Sequence, residues 1–237
     1  MSLGAERNAR AICRAPIHFL HVSKTGGTAL KHALKPIARD HGLVLHPHSV
    51  CLRDIPPGER CFFFLRHPLS RFVSGFLSRQ RRGRPGHHID WTEGERCAFE
   101  TFARPNDMAE MLTSRDPLLY RAAHRAMNEI AHLRRPLALW LDSEAYLRSR
   151  LSDVLFVGLQ ENLDRDFARL RCLLGLPESL RLPSDAAAAH RAPAGADRWM
   201  TPLAEANVLA WYARDCRLFA YCAKWRKAHA VPSRDRC

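Results

Sequence analysis

The sequence has little lysine, few acidic residues and no long apolar run. Only five of its 37 basic residues are lysines, and Asp and Glu together number 24, so the formal net charge is +13. A field of that sign favours anionic partners such as nucleotides, sulfated glycans or nucleic acid. No apolar run approaches the roughly 20 residues that span a bilayer, and no secretory leader is recognisable, so we expect a soluble, cytoplasmic protein.

Metal-binding and redox motifs are also missing. The eight cysteines form no C-x-x-C pair, which argues against a zinc or redox site. No carboxylate-rich cluster stands out that would hold a divalent cation, so we expect no metal. Cys61 and Cys172 lie in apolar runs and are predicted to be buried thiols.

The chain has the length and composition of a single globular domain. It contains 237 residues, of which 46% are hydrophobic, so one domain over 1–237 with a core at about 16–225 is predicted. Strands alternating with helices predict an α/β domain with a mainly parallel central sheet flanked by helices. The polar stretch 80–97 is predicted to be a long surface loop, and 181–201 to be irregular. Strands are predicted at 16–22, 61–65 and 154–158, and helices at 28–39, 68–79, 106–113, 117–133, 160–174 and 202–228.

The first motif, SKTGGT at 23–28, lies between a predicted strand and a predicted helix. Glycines let successive backbone N–H groups converge on one anion, and the helix N-terminus adds the positive end of its dipole. Lys24 precedes the glycines here, whereas a Walker A loop places its lysine after them, so this is a phosphate loop of another kind. The alternative is an ordinary strand–helix turn with a solvated lysine.

The second motif, RHPLSRFVS at 66–74, follows the second predicted strand and enters a helix. Ligands bind at the carboxyl ends of strands in α/β sheets, and a guanidinium such as that of Arg66 can bind a phosphate through two hydrogen bonds. Ser74 lies about two helical turns further on and would face the same anion if the helix folds back beside the strand end. The alternative is a helix N-terminus with surface arginines.

Together the two motifs resemble the cofactor-binding motifs of sulfotransferases that use 3′-phosphoadenosine 5′-phosphosulfate (PAPS). The resemblance is closest to the carbohydrate sulfotransferases, of Golgi type and bacterial, and it implies a P-loop-like three-layer fold. Ser23 stands where that family usually has proline, and His67 where it usually has aspartate. The resemblance implies that the first loop holds the 5′-phosphosulfate and that Arg66 and Ser74 hold the 3′-phosphate. The implied cofactor-binding residues are Lys24, Thr25, Gly26, Gly27, Thr28, Arg66 and Ser74.

A third motif, LHPHS at 45–49, resembles the H-G-H-V segment of uronyl 2-O-sulfotransferases, in which a histidine acts as base. A sugar hydroxyl needs such a group, because it is a poor nucleophile at neutral pH. We expect His48 to be the base and His46 its helper; both could equally be surface loop residues. Other candidates for the base are His87, His88, Glu93 and Glu95.

Two weaker segments extend the resemblance. Residues 156–163 (FVGLQENL) resemble a later strand–Gly–Glu segment of that family, and residues 207–221 resemble its C-terminal helix. The implied reaction moves a sulfuryl group from PAPS to a hydroxyl of an acceptor, expected to be a glycan, by in-line displacement. Lys24 would stabilise the leaving phosphate, the product is PAP (3′-phosphoadenosine 5′-phosphate), and neither metal nor nucleic acid is expected to take part.

Three other functions stay open at this point. A P-loop-type nucleotide kinase would need a Walker-type loop and an acidic Mg²⁺ ligand. A basic protein that binds anions or nucleic acid without catalysis would concentrate its arginines on one face, whereas these are scattered along the chain. The third is a sulfotransferase-like domain that binds the nucleotide but no longer catalyses transfer.

Overall fold

The computed structural model describes residues 15–185 and 195–229. Its four strands form one parallel sheet in the order β2-β1-β3-β4. The strands are β1 (Ile17–Leu20), β2 (Leu43–Leu45), β3 (Arg60–Leu65) and β4 (Val154–Leu159). The helices are α1 (Gly27–Leu34), α2 (Pro68–Gln80), α3 (Glu93–Thr101), α4 (Pro105–Glu110), α5 (Pro117–Glu129), α6 (Ala138–Leu141), α7 (Glu144–Ser149), α8 (Leu163–Leu174), α9 (Pro202–Trp211) and α10 (Ala213–Ala228).

The central strand β3 shows how the sheet is covered on both faces. Successive side chains of a strand point to opposite faces. Phe62 and Phe64 therefore pack with α1 and α8, whereas Phe63 and Leu65 pack with α6, α7 and α10. A third apolar cluster joins α2, α3, α4, α5 and α9. The α/β prediction, with a parallel sheet between helical layers, is confirmed.

Close packing in this sheet depends on Gly158 of β4. A Cβ atom at that position would lie 2.2 Å from Cε1 of Phe64 on the neighbouring strand. Because Gly158 of the FVGLQENL segment has no side chain, it leaves room for the Phe64 ring in the core. Glu161, which follows the strand, accepts hydrogen bonds from His67 N (2.8 Å) and Ser70 Oγ (3.1 Å) and so joins the end of β4 to the start of α2.

The three predicted strands and most predicted helices are confirmed, with three corrections. The helix predicted over 28–39 ends at Leu34 and continues as a 3₁₀ turn, because the ring of Pro36 cannot be accommodated inside an α-helix. The loop predicted over 80–97 ends earlier, since Thr92 and Glu95 form a reciprocal capping box that starts α3 at Glu93. The predicted last helix is two helices, separated at Tyr212.

The strands and helices that the sequence patterns failed to predict are short. Strand β2 has three residues and α6 has four, too few to show a clear hydrophobic period. Of the stretch predicted to be irregular, 181–185 and 195–200 carry no helix or strand, and 186–194 lie outside the described residues. Cys61 is buried as predicted, whereas Cys172 is exposed on α8.

Candidate active site

A cavity of about 340 Å³ opens at the carboxyl edge of the sheet. The strand order reverses between β1 and β3, and parallel α/β sheets bind their ligands outside the strand ends at such a point. The loop after β1 and the start of α2 after β3 both contribute to its wall. Of the predicted cofactor-binding residues, six line it: Lys24, Gly26, Gly27, Thr28, Arg66 and Ser74.

The loop at 23–28 has the tight backbone that an anion cradle requires. Lys24 and Gly26 both adopt the left-handed region, with φ of +66° and +86°. A Cβ at Gly27 would lie 2.0 Å from Cδ2 of His21, so only glycine fits above that ring. Thr25 does not line the cavity; it is buried, and its hydroxyl donates to the carbonyl of Val22 (2.9 Å).

Helix α1 presents its N-terminus to this cavity. Its first hydrogen bond runs from Leu30 N to the Gly26 carbonyl (3.2 Å), so the N–H groups of residues 27–29 have no partner within the helix. No acidic side chain lies in the first turn to occupy them. These N–H groups and the positive end of the helix dipole therefore suit a phosphate or sulfonate.

Lys24 carries a perturbed charge. Burial first, and then repulsion from neighbouring arginines led by Arg66, lowers the pKa of its ammonium group to about 8. Among the described residues, none forms a hydrogen bond or an ion pair with its Nζ, so an incoming anion would meet an unpaired cation. A strongly shifted pKa in a cleft is typical of a functional group.

A second group of polar side chains on the cavity wall surrounds Arg66. Its Nε donates to Ser70 Oγ (3.1 Å), while the guanidinium lines the cavity with Ser74. Burial lowers the pKa of Arg66 to about 10, an effect that Glu161 opposes and Arg198 reinforces. The helix does fold back beside the strand end, so Arg66 and Ser74 lie on the wall of the same cavity.

His48 also lines the cavity, and its surroundings determine its tautomer. Nδ1 lies 3.0 Å from the carbonyl oxygen of His21, which can only accept, so Nδ1 carries the proton and Nε2 has the free lone pair. Burial lowers the pKa of His48, and the hydrogen bond to His21 partly offsets that shift. Trp140 Nε1 donates to the His48 carbonyl (2.9 Å) and holds the backbone of the segment.

His46 lies outside this cavity. Its Nε2 is 2.8 Å from His18 Nδ1, and His18 Nε2 is 2.5 Å from Glu59 Oε2, so the ring belongs to a separate polar chain beside β1. The helper role predicted for His46 thus has no support from its position. His46 and His48 lie two residues apart in the loop after β2, yet they contact different neighbours, His18 and His21.

The other candidate bases divide between the cavity, the surface and the core. His87 lines the cavity. His88 is bonded at the surface to Asp90 (3.0 Å), and Glu93 is exposed and paired with Arg96. Glu95 is fully buried against Arg79, with no access to a substrate.

Sequence reasoning missed several residues of the cavity wall. His132, which follows α5, lies there, and so do Arg81 and Arg198. Arg81 belongs to the RQRRGR run at 79–84. The run shows that positive charge is concentrated there, but it does not show which way each side chain points. Arg79 of the same run is buried, with only 4% of its surface exposed. His132 and Arg198 lie in no motif, so nothing in the sequence singled them out.

The described part of the chain contains neither a group of metal-binding side chains nor a helix that could span a membrane. Between residues 15 and 185 and between 195 and 229, no three His, Cys, Asp or Glu side chains are grouped so that they could hold a metal ion. No helix in these ranges is long and apolar enough to cross a membrane. The predicted absence of a metal and the cytoplasmic location stay predictions.

Comparison with known proteins identifies the family. The model of the sulfotransferase family matches residues 13–222, which is most of the chain. No curated protein and no solved structure matches the sequence. Membership of this family implies transfer of a sulfuryl group to an acceptor hydroxyl. This match over most of the chain, which agrees with the parallel sheet, shows that the chain belongs to the sulfotransferase family.

Proposed function

We propose that the protein transfers a sulfuryl group from PAPS to a hydroxyl group of a carbohydrate. The observation that carries this proposal is the pairing of two anion-binding arrangements in one cavity. Lys24 and the N-terminus of α1 form the first, and Arg66 with Ser74 forms the second. A nucleotide with phosphate groups on both its 3′ and 5′ positions matches that pairing better than AMP or ATP.

The residues present fit such a donor. The cavity offers an unpaired ammonium, unpaired helix N–H groups and a guanidinium, which suit anionic oxygens. Apolar side chains, Leu163, Leu182 and Pro183, form another part of the wall and suit a flat base. Leu163 lies so close to the loop that a Cβ at Gly26 would approach its Cδ1 to 3.0 Å. Loop and apolar wall therefore belong to one compact site.

The chemistry asks the protein mainly to position and to neutralise charge. PAPS supplies a sulfuryl group whose bond to the 5′-phosphate oxygen breaks as the acceptor oxygen bonds to sulfur, with the electron pair leaving on the phosphate. Lys24 and the N–H groups of residues 27–29 stabilise the charge that develops on that phosphate. Arg66 and Ser74 hold the 3′-phosphate and fix the orientation of the nucleotide.

His48 is the proposed base. Its Nε2 lone pair takes the proton of the acceptor hydroxyl as the oxygen attacks, and the resulting N–H stays on His48 until solvent removes it. Because burial lowers the pKa of this imidazole, it is neutral and able to accept at physiological pH. His46 is not part of the proposed mechanism.

We propose that the acceptor is an acidic glycan, one that carries negatively charged groups. Support comes from the net charge of +13 and from Arg81 and Arg198, which line the cavity beyond the two anion-binding arrangements. Burial, followed by repulsion from Arg198, lowers the pKa of Arg81. A neighbouring anionic group on the acceptor would relieve this repulsion.

Calorimetric binding of PAP, AMP and ATP tests the donor site directly. Wild type should bind PAP much more tightly than AMP. Arg66→Ala should weaken PAP binding by about 10- to 100-fold, because a hydrogen bond to a charged group contributes about 1.5–3 kcal/mol, while AMP binding stays unchanged. The exposed Arg115→Ala is the matched control and should bind PAP as wild type does.

Equal affinity for AMP and PAP, or no binding of either, would contradict the proposal. Preference for ATP would favour a nucleotide kinase instead. With PAP binding established, turnover of PAPS with a panel of neutral and acidic oligosaccharides identifies the acceptor class. If only acidic ones are sulfated, the roles of Arg81 and Arg198 gain support.

A further inference from the structure

The 130–137 segment between α5 and α6 brings one side chain, His132, to the cavity wall. Helix α2 allows this close approach through Gly75, where a Cβ would lie 3.1 Å from the Cβ of His132 and 3.0 Å from Cδ2 of Leu133. His132 is thus packed directly against the helix that carries Ser74, and within the same cavity as Lys24.

Long-range hydrogen bonds hold this segment in place. Glu95 Oε1 accepts from Ala131 N (3.1 Å), and Tyr212 Oη donates to the Leu133 carbonyl (2.7 Å). On the other side, an Arg71 guanidinium N–H donates to the Arg135 carbonyl (2.5 Å). Bonds on both sides of His132 make its backbone a rigid support rather than a loose surface loop.

The imidazole of His132 contributes no hydrogen bond to the stability of the described fold. Its Nδ1 is enclosed and has no hydrogen-bond partner among residues 15–185 and 195–229, whereas Nε2 is neither enclosed nor bonded there. An enclosed N–H without an acceptor is rarer in proteins than an enclosed, under-used acceptor. The favoured tautomer therefore has the lone pair on Nδ1 and the proton on Nε2, the ring nitrogen that is not enclosed, in a side chain that lines the cavity.

The ring is also neutral. Burial first, then repulsion from Lys24 and other cations, lowers the pKa of His132 to about 2. A neutral donor can bind an anionic oxygen without releasing or taking up a proton. His48 has the opposite arrangement, with its proton on Nδ1 and its lone pair on Nε2.

From this geometry we infer that His132 is a further catalytic residue, whose Nε2–H donates a hydrogen bond to an oxygen of the sulfuryl group being transferred. The inference rests on the proposed donor. The two cavity histidines then have different roles. His48 accepts the proton of the acceptor hydroxyl, whereas His132 and Lys24 bind the sulfuryl group while it is transferred. A preorganised donor of this kind stabilises charge that develops during transfer.

PAP and PAPS differ only in the sulfuryl group, so their binding tests the inference. His132→Leu removes the donor at similar volume, and His132→Gln places an N–H near the position of Nε2. We expect His132→Leu to weaken PAPS binding about tenfold and to lower kcat by about 10²-fold, with PAP binding unchanged. His132→Gln should restore a large part of both, and the exposed His32→Leu should match wild type.

Several outcomes would overturn the inference. Equal loss of PAP and PAPS affinity in His132→Leu would mean that the residue only shapes the nucleotide site, and loss of neither would mean that it makes no contact. If His132→Leu fails to fold, ¹⁵N correlation spectra of the wild-type histidines decide the point, since a proton on Nδ1 of His132 would contradict the assigned donor. Failure of wild type to bind PAP would instead overturn the proposed function.

Discussion

The loop at 23–28 and the 130–137 segment reach the same cavity by opposite means. In the loop, Lys24 and the N–H groups at the start of α1 face the cavity without partners, and the tight backbone comes from the local sequence. In the 130–137 segment, backbone groups are hydrogen-bonded to distant side chains, among them Glu95, Arg71 and Tyr212. The loop thus leaves polar groups unpaired at the cavity, whereas the polar backbone groups of the segment are paired with the rest of the fold.

The two regions therefore differ in whether their polar groups serve ligand binding or stabilise the fold. Unpaired polar groups in a cavity contribute little to folding and become useful when an anion arrives. Buried polar groups that are paired hold the chain, and removing one partner leaves the other uncompensated. Substitutions in the loop should therefore impair binding and turnover, and substitutions at the supports of the segment should impair stability.

The largest effect in this comparison is expected from Glu95→Gln. Glu95 pairs with Arg79 through two hydrogen bonds (2.6 and 2.5 Å) and is fully buried, so its loss leaves a buried guanidinium without a counter-charge. We expect a loss of about 3–5 kcal/mol in the free energy of unfolding, and thermal melting lower by about 6–20 °C. Glu93→Gln on the same helix, with an exposed Arg96 pair, is the control and should melt near wild type. Similar melting of the two variants would contradict the role of the segment's supports.

A somewhat smaller effect, and on turnover rather than stability, is expected from Lys24→Ala. Removing one preorganised donor to a developing anion lowers kcat by about 10²–10³-fold, or about 2.7–4 kcal/mol. Because Lys24 pairs with none of the described residues, thermal melting should stay near that of wild type. Lys35→Ala, at an exposed position just after α1, is the control. Near-normal turnover of PAPS in Lys24→Ala would remove Lys24 from the mechanism.

The smallest effect is the pH dependence of PAP binding. The pKa of Lys24 is lowered to about 8 in the free protein, and a bound phosphate raises it, so binding favours the protonated form. Affinity is therefore full below pH 8 and falls as the pH rises through it, about tenfold between pH 7 and pH 9. Calorimetry in two buffers of different ionisation enthalpy should show proton uptake at pH 9 and little at pH 7. A constant affinity, or the same dependence in Lys24→Ala, would contradict this assignment.

Local patterns in the chain were sufficient to predict three of the four strands of the sheet and to place two motifs at strand ends, where both line the cavity. A short apolar run followed by glycines or by Pro68 predicts a strand and the helix after it, because these signals are local. The early end of α1 was also signalled locally, by Pro36. The capping box at 92–95 was a further local signal, and including it would have placed the start of α3 correctly.

The histidines were not predictable to the same extent. His46 and His48 lie two residues apart in one motif, yet His46 pairs with His18 and only His48 lines the cavity. His132 belongs to no motif, and the contacts that place it come from Gly75 and Arg71 of α2, from Glu95 of α3, and from Tyr212 between α9 and α10. Such contacts join parts of the chain that are distant in sequence, so periodicity and spacing carry no information about them.

Local signals in the sequence were enough to predict the α/β alternation, the tight loop at 23–28 and the position of Arg66 at the end of a strand, since backbone propensity and hydrophobic period act over a few residues. Which charged and titratable groups share the cavity depends instead on contacts between distant parts of the folded chain. Folding placed His46 outside the cavity, buried Arg79, and brought His132 to the same cavity wall as Lys24. The physical reason is that burial, charge repulsion and hydrogen bonding act through space, and their partners are chosen when the chain has folded.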